Sequence, residues 1–422
     1  MTVDQALEYI HSNYWNGGTF GLGRTEELLK LMGNPEKGLK CIHIAGTNGK
    51  GSTASMSASI LKEAGYKVGL YTSPYIFQFN ERMQINGEQI SDEELVEIVE
   101  WVKPLAQSMA SEPSEFELVT CIGFEYFKRH QVDLICLEVG MGGEFDSTNV
   151  IDPPVAAVMT NIGLDHVEIL GDTLEKIAET KSKIIKPGCR AVCYREPASV
   201  EAVFEERCRE VGAQLTKADF DSLHLRSASL EGQVFDWGRF EGLELPLLGQ
   251  HQLYNAAVVL TTMDVLNEQG WKISDEAIRR GLASVSWPGR FELVAKEPLF
   301  IADGGHNPQC IEALVKNVRD YLGGRHLTIL TGVLADKDYN EMYADMSRFA
   351  SEFVTITPDN PRAMKSQDLK AYLERFGKPV HACGTAAEGV ALAKEMAGKD
   401  GVVLAYGSLY MLGDVVNAAR GV

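Results

Sequence analysis

The segment Ile42–Thr53, IHIAGTNGKGST, constrains this chain most: an apolar run leads through a glycine-rich turn to a lysine, two hydroxyl residues and a helix-like stretch. Backbone N–H groups at such a strand-to-helix turn converge on phosphate oxygens, and the positive end of the helix dipole reinforces them. Gly46, Gly49 and Gly51 permit close approach and positive φ, Lys50 supplies a point charge for outer phosphates, and Ser52 or Thr53 can reach a phosphate or its Mg2+. Two residues separate Gly46 from the Gly49-Lys50 pair where the common phosphate loop has four, which excludes a routine kinase or GTPase. The bland alternative is a glycine-rich turn with an incidental lysine; the flanking strand and helix favour nucleotide binding.

Around this segment, short apolar runs alternate with amphipathic stretches. KCIHIAG, the helix-like Ser52 to Ala64, KVGLYT, and later strands at 134–139, 155–160 and 191–194, with helices near 115–130 and 174–185, spell a mostly parallel α/β sheet. Asp172 and Thr173 are good caps for the last of these helices. Between about Phe220 and Gly249 the text turns to short alternating segments with glycines, which predicts a small β insertion. Two helical stretches follow, 251–268 and 274–283, and then SVSWPGRFELVAKEP, which has two prolines and no helical period. We therefore expect a phosphate-loop domain over 1–287, a linker over 288–298, and a smaller Rossmann-like α/β domain over 299–422 built on LFIADGG, HLTILTG, EFVTITP and GVVLAYG.

Composition narrows the function classes. The formal net charge of −19 repels phosphate backbones at long range, so nucleic acid is not an expected partner, although lysines and backbone N–H groups can reverse the field locally in a cleft. No apolar run is long enough to span a membrane, and the N-terminus lacks a basic start followed by an apolar stretch, so the expected location is the cytoplasm. The eight cysteines are scattered, several in apolar runs such as LICLEV, which predicts buried thiols and neither a disulfide framework nor a zinc site.

Three later segments place polar groups just beyond strands, where open α/β sheets bind ligands. Ser73 follows KVGLYT and precedes Pro74; Glu138 ends LICLE and leads into Gly140, Gly142, Gly143, Asp146 and Asn149; Asp165 and His166 follow AVMTNIGL. Singly, these read as a turn hydroxyl, a buried ion-pair member and a hydrogen-bonded histidine, but together Ser73, Glu138 and His166 supply donors that suit Mg2+. Lys181, Lys183 and Lys186 read by pattern alone as a solvated basic face.

In order along nearly the whole chain, GTNGKGST, TSPYI with FNERMQING, LEVGMGG with DSTNVI, GLDH, IAETKSKIIKPG, GQHQLYNAAV, WPGRFE, DGGHNP, LADKDY and GSLYMLG resemble the folylpolyglutamate synthase and dihydrofolate synthase family of the Mur ligase superfamily. The resemblance implies that Gly46, Thr47, Asn48, Gly49, Lys50, Gly51 and Ser52 hold the ATP phosphates, and that Ser73, Glu138 and His166 coordinate Mg2+. It further implies that Lys181 becomes a carbamate serving the metal site, that Asn255 meets the adenine, and that Arg290, Asp303 and His306 close on the nucleotide from the linker and second domain. Ser73, Pro74, Tyr75 and Arg82 are the candidate folate contacts. Glu144, Thr180, Lys183 and Gly305 stand where Arg, Glu, Gly and Ala are common in the family.

The activity so implied is ATP-dependent addition of L-glutamate to the γ-carboxylate of a reduced folate through an acyl phosphate, with Lys50, Lys181, His166 and Arg290 carrying the chemistry. The expected partners are small molecules only, and the expected working unit is a monomer. The competing readings are a bifunctional enzyme that also joins dihydropteroate to glutamate, a nucleotide-dependent switch, and a cell-wall ligase of the same superfamily.

Overall fold

The computed structural model describes residues 1–13, 21–305, 307–335 and 339–421. The chain divides into two compact units: residues 1–224, 235–244 and 253–285 form the first, and residues 225–234, 245–252 and 286–422 the second.

The first unit contains an eight-stranded sheet. Its strands are β1 (Cys41–Ala45), β2 (Val68–Tyr71), β3 (Met83–Ile85), β4 (Glu88–Gln89), β5 (Leu134–Glu138), β6 (Ala156–Met159), β7 (Arg190–Cys193) and β8 (Gln214–Lys217), in the order β4-β3-β2-β5-β1-β6-β7-β8. β1 is parallel to β5 on one side and to β6 on the other, with Ile42 opposite Cys136 and Ala156. Only the β2-β3-β4 edge is antiparallel. Every residue of β1, β5 and β6 is buried, as a parallel sheet covered on both faces requires. Side chains from alternate positions feed two cores. Ile135 and Leu137 pack with Phe124 and Phe127, while Ala157, Met159, Ala191 and Cys193 pack with Ile177 and Phe204.

The connections locate the binding edge. From β1 the chain runs to β2, returns to place β5 between them, and then crosses to β6 on the other side of β1. The C-terminal ends of β1, β5 and β6 therefore flank a topological switch point, where such sheets take ligands.

Within the expected β insertion, β9 (His224–Ser229), β10 (Gly232–Trp237) and β11 (Phe240–Leu245) form a three-stranded sheet. The second unit holds β12 (Glu292–Lys296), β13 (Leu299–Ala302), β14 (Leu327–Thr331), β15 (Glu352–Thr355), β16 (Val380–Ala382) and β17 (Val402–Tyr406), ordered β12-β13-β17-β14-β15-β16. All pairs are parallel except β12 with β13. Ile329, Phe353 and Leu404 serve one core, and Leu330, Val354 and Val403 the other.

The cysteines are free, six of the eight being buried. No helix among the described residues is long and apolar enough to cross a membrane.

Candidate active site

The turn after β1 is shaped by what presses on it. A Cβ on Gly46 would lie 1.8 Å from Thr160 Oγ1, so only glycine fits there. Gly49 adopts a left-handed conformation (φ 85°), caps the Lys50–Glu63 helix, and would place a Cβ 2.5 Å from Asn255 Oδ1. The buried Asn255 side chain, which the family resemblance assigns to the adenine, thus stands against the turn.

Residues beyond β6 hold the turn from the side. Thr47 N donates to Asn161 O (2.7 Å), and the Thr47 hydroxyl donates to Gly163 O while accepting from Gly163 N (both 3.0 Å). Thr160 Oγ1 donates to Asn48 O at 2.8 Å. Sequence reasoning marked this strand end only for Asp165 and His166; Thr160 and Asn161, immediately after the strand, were the available signal.

Two lysines converge on one carbonyl, that of Gly46. Lys50 Nζ donates to Gly46 O and Thr47 O, both at 3.2 Å, and Lys181 Nζ donates to Gly46 O at 2.8 Å. Lys181 is only 4% exposed, which corrects the solvated basic face expected from pattern alone. It shares the inward face of its helix with Ile177, Ala178 and Ser182. Burial, helped by the charge of Lys50, lowers its ammonium to about 7 against the pull of Asp165 and Asp146. Lys186 is also engaged, donating to Asn149 O and Ile151 O at 2.7 and 2.5 Å.

At the neighbouring strand ends, the buried Glu138 accepts the backbone N–H of Ser73 at 3.1 Å through Oε2, across a turn whose Ser73–Pro74 peptide is cis. His166 caps a short helix with φ 50°, its side chain 45% exposed and its Nε2 3.9 Å from Asp165 Oδ1. Hydroxyl and carboxylate oxygens of this kind fit Mg2+. Among the described residues no group of three or more His, Cys, Asp and Glu could hold a metal ion.

In the loop after β5, the buried Asp146 accepts from Met141 N (2.9 Å), Thr148 N (3.0 Å) and the Thr148 hydroxyl. That hydroxyl lies 2.8 Å from Nε2 of the fully buried His43, whose imidazolium burial disfavours to about 3. The candidate folate residues are partly committed elsewhere. Arg82 is buried, lies over Tyr75 and Phe79 at 5.4 and 5.6 Å, and reaches Glu115 at 4.0 Å, whereas Pro74 is exposed.

In the second unit, Asp303 follows β13 and accepts Gly305 N (2.7 Å) and Phe291 N (2.9 Å). Burial raises its carboxyl against the nearby Arg290, whose Nη1 donates to Gly289 O at 2.9 Å. His306, assigned to the same turn from sequence, lies outside the described residues.

A phosphate-type turn lies at the switch point of a mostly parallel sheet, a second α/β unit follows, and the two stretches match family models that make the chain an ATP-dependent ligase of the Mur type. Residues 44–263 match the Mur ligase middle domain, and residues 289–409 the Mur ligase glutamate ligase domain. The chain is 37% identical to the dihydrofolate synthase/folylpolyglutamate synthase of Bacillus subtilis, with 97% of each covered. The crystal structure of the folylpolyglutamate synthase of Thermotoga maritima superposes with a TM-score of 0.87 at 32% identity, covering 100% of this chain and 97% of the other. An FPGS–AMPPCP–folate complex matches at 0.85 and 35%, with 98% of each chain covered. The chain belongs to the folylpolyglutamate synthase/dihydrofolate synthase family.

Proposed function

We propose that this ligase extends a reduced folate by joining L-glutamate to its γ-carboxylate at the expense of ATP. The observation that carries the reading is the convergence of Lys50 and Lys181 on the Gly46 carbonyl inside a turn clamped for phosphate. In this reading Gly46 to Ser52 bind the triphosphate and Asn255 the adenine. A γ-carboxylate oxygen of the folate attacks the γ-phosphorus, ADP leaves, and Lys50 balances the charge spreading over the transferred phosphoryl group. The amine of glutamate then attacks the acyl phosphate carbonyl. The tetrahedral intermediate expels inorganic phosphate and a proton, leaving the amide.

Ser73, Glu138, His166 and a carbamate on Lys181 are the proposed holders of Mg2+, which when bound neutralises charge on the outer phosphate oxygens. The carbamate forms when the neutral Lys181 amine attacks the carbon of CO2 and releases a proton. An ammonium lowered to about 7 supplies that neutral amine near physiological pH. Arg290, Asp303 and His306 are proposed nucleotide contacts, and Ser73, Pro74, Tyr75 and Arg82 proposed folate contacts.

Incubation with tetrahydrofolate, glutamate and MgATP should give phosphate and amide in equal amounts; phosphate without amide would contradict the route. A second reading, ligation of dihydropteroate as well, is favoured by the double name of the B. subtilis relative. Turnover of dihydropteroate decides it.

A further inference from the structure

The phosphate loop is held in place by a segment that has no regular structure of its own. Residues 160–165, between β6 and the short helix at 167–170, are neither helix nor strand. Yet Asn161 and Gly163 make all three hydrogen bonds that fix Thr47, by its N–H and by its hydroxyl. Such a segment positions its neighbour only as well as it is itself positioned.

The structure provides a side chain for that purpose. Glu196, just beyond β7, accepts the backbone N–H of Ile162 at 2.7 Å and reaches the side-chain amide of Asn161 at 3.4 Å, both through Oε1. Its own N–H donates to Glu201 Oε1 at 3.2 Å, and Glu201 Oε2 takes the ammonium of Lys217 at 2.6 Å. Pro197 follows and leads into the Ala198–Val211 helix, so the carboxylate projects from a stiff turn.

This arrangement carries a cost. Burial and the negative charge of Glu201 push the Glu196 carboxyl up to about 7 against the two N–H donors. A neutral glutamine would fill the same space without that penalty.

We propose that Glu196 is a positioning residue for ATP, buckling the Asn161–Gly163 segment against Thr47 and so holding the phosphate loop in the shape that receives the triphosphate. The inference rests on the nucleotide-binding part of the proposed function, and not on its folate substrate.

The experiment compares Glu196→Ala, Glu196→Asp and Glu196→Gln in the full chain, with direct titration of ADP and AMPPCP alongside steady-state kinetics. Glu196→Ala should raise KM for ATP and the nucleotide Kd about tenfold, since both hydrogen bonds that hold the Asn161–Gly163 segment are lost, with kcat and the KM for glutamate within about twofold. Glu196→Asp, one methylene shorter, should show the same split, and Glu196→Gln, which keeps an Oε1 acceptor, should restore most of the affinity. Unchanged nucleotide affinity in Glu196→Ala and Glu196→Asp would overturn the proposal, as would a fall in kcat with KM for ATP intact. Because binding is read without turnover, a wild-type chain that binds nucleotide but ignores folate would remove the ligase reading and leave this one standing.

Discussion

Two glycine-containing turns follow buried parallel strands, one in each unit, and they use their polar groups in opposite ways. After β1, the carbonyls of Gly46 and Thr47 attract two lysine ammonium groups, and the turn is clamped from outside by Thr160, Asn161 and Gly163. After β13, the Asp303 carboxylate gathers N–H groups of its own surroundings, Gly305 and Phe291, with Arg290 beside it. The first turn concentrates positive charge at a helix N-terminus and so is built to receive an anion. The second satisfies its N–H groups internally. The side chain beside it is Arg290, the proposed nucleotide contact.

Lys50→Ala breaks the comparison most severely. On the role proposed for Lys50, removing its charge should lower kcat about a hundredfold or more, measured as folate-dependent ADP release. Retention of full activity would mean the β1 turn is no more chemical than the β13 turn. Lys181→Ala should cost nearly as much, about a hundredfold, if the residue serves as a carbamate. Incubation of the wild type with 13C-bicarbonate should then give a carbamate 13C resonance that the variant lacks.

Asp303→Ala tests the other side. It leaves two buried N–H groups without their acceptor and should destabilise the chain by about 1–3 kcal/mol in denaturant unfolding. Asp303→Asn keeps one acceptor oxygen and should fall between. A larger effect of Asp303→Ala on kcat than that of Lys50→Ala would reverse the roles assigned to the two turns.

The smallest effect is a pH dependence within the clamp of the first turn. The Glu196 carboxyl is raised to about 7 in the folded chain, so between its ordinary value and 7 the native state binds more protons than the unfolded state. Its contribution to stability is therefore present at acidic pH and lost as pH rises towards 7. The groups around it, Glu201 with Lys217, and Arg195 with Asp221, are paired among themselves and are not expected to invert that sign. Unfolding of Glu196→Gln and wild type at pH 5 and pH 7.5 should show the variant gaining relative stability at the higher pH.

How much of this could be read from the sequence depended on how local the signal was. The β1 turn was legible because strand, glycines, lysine and helix are contiguous. Asp303 was legible as a polar residue ending an apolar run. Glu196 was not, since its partner N–H lies 34 residues away and no local pattern links LDH-type text to YREP. Lys181 was misread by pattern because three lysines within six residues suggest a solvated helix face, whereas the helix ends at Ser182 and only Lys181 of the three lies in it. Its spacing from Ile177 and Ala178, at i+4 and i+3, already placed it on the apolar face. The Asp92–Gln107 helix was also missed, although Ser91 followed by Asp92, Glu93 and Glu94 is a helix start. β12 escaped because an antiparallel edge strand between two prolines has no helix-strand rhythm to announce it.

The central claim is that a folate carboxylate is phosphorylated before glutamate attacks, and it is tested most directly with tetrahydrofolate carrying 18O in both oxygens of its γ-carboxylate. Turnover with MgATP and L-glutamate should transfer one 18O to inorganic phosphate and leave one in the new amide for every bond formed. Amide formation with no 18O in the phosphate, or no folate-stimulated ADP release at all, would contradict the account.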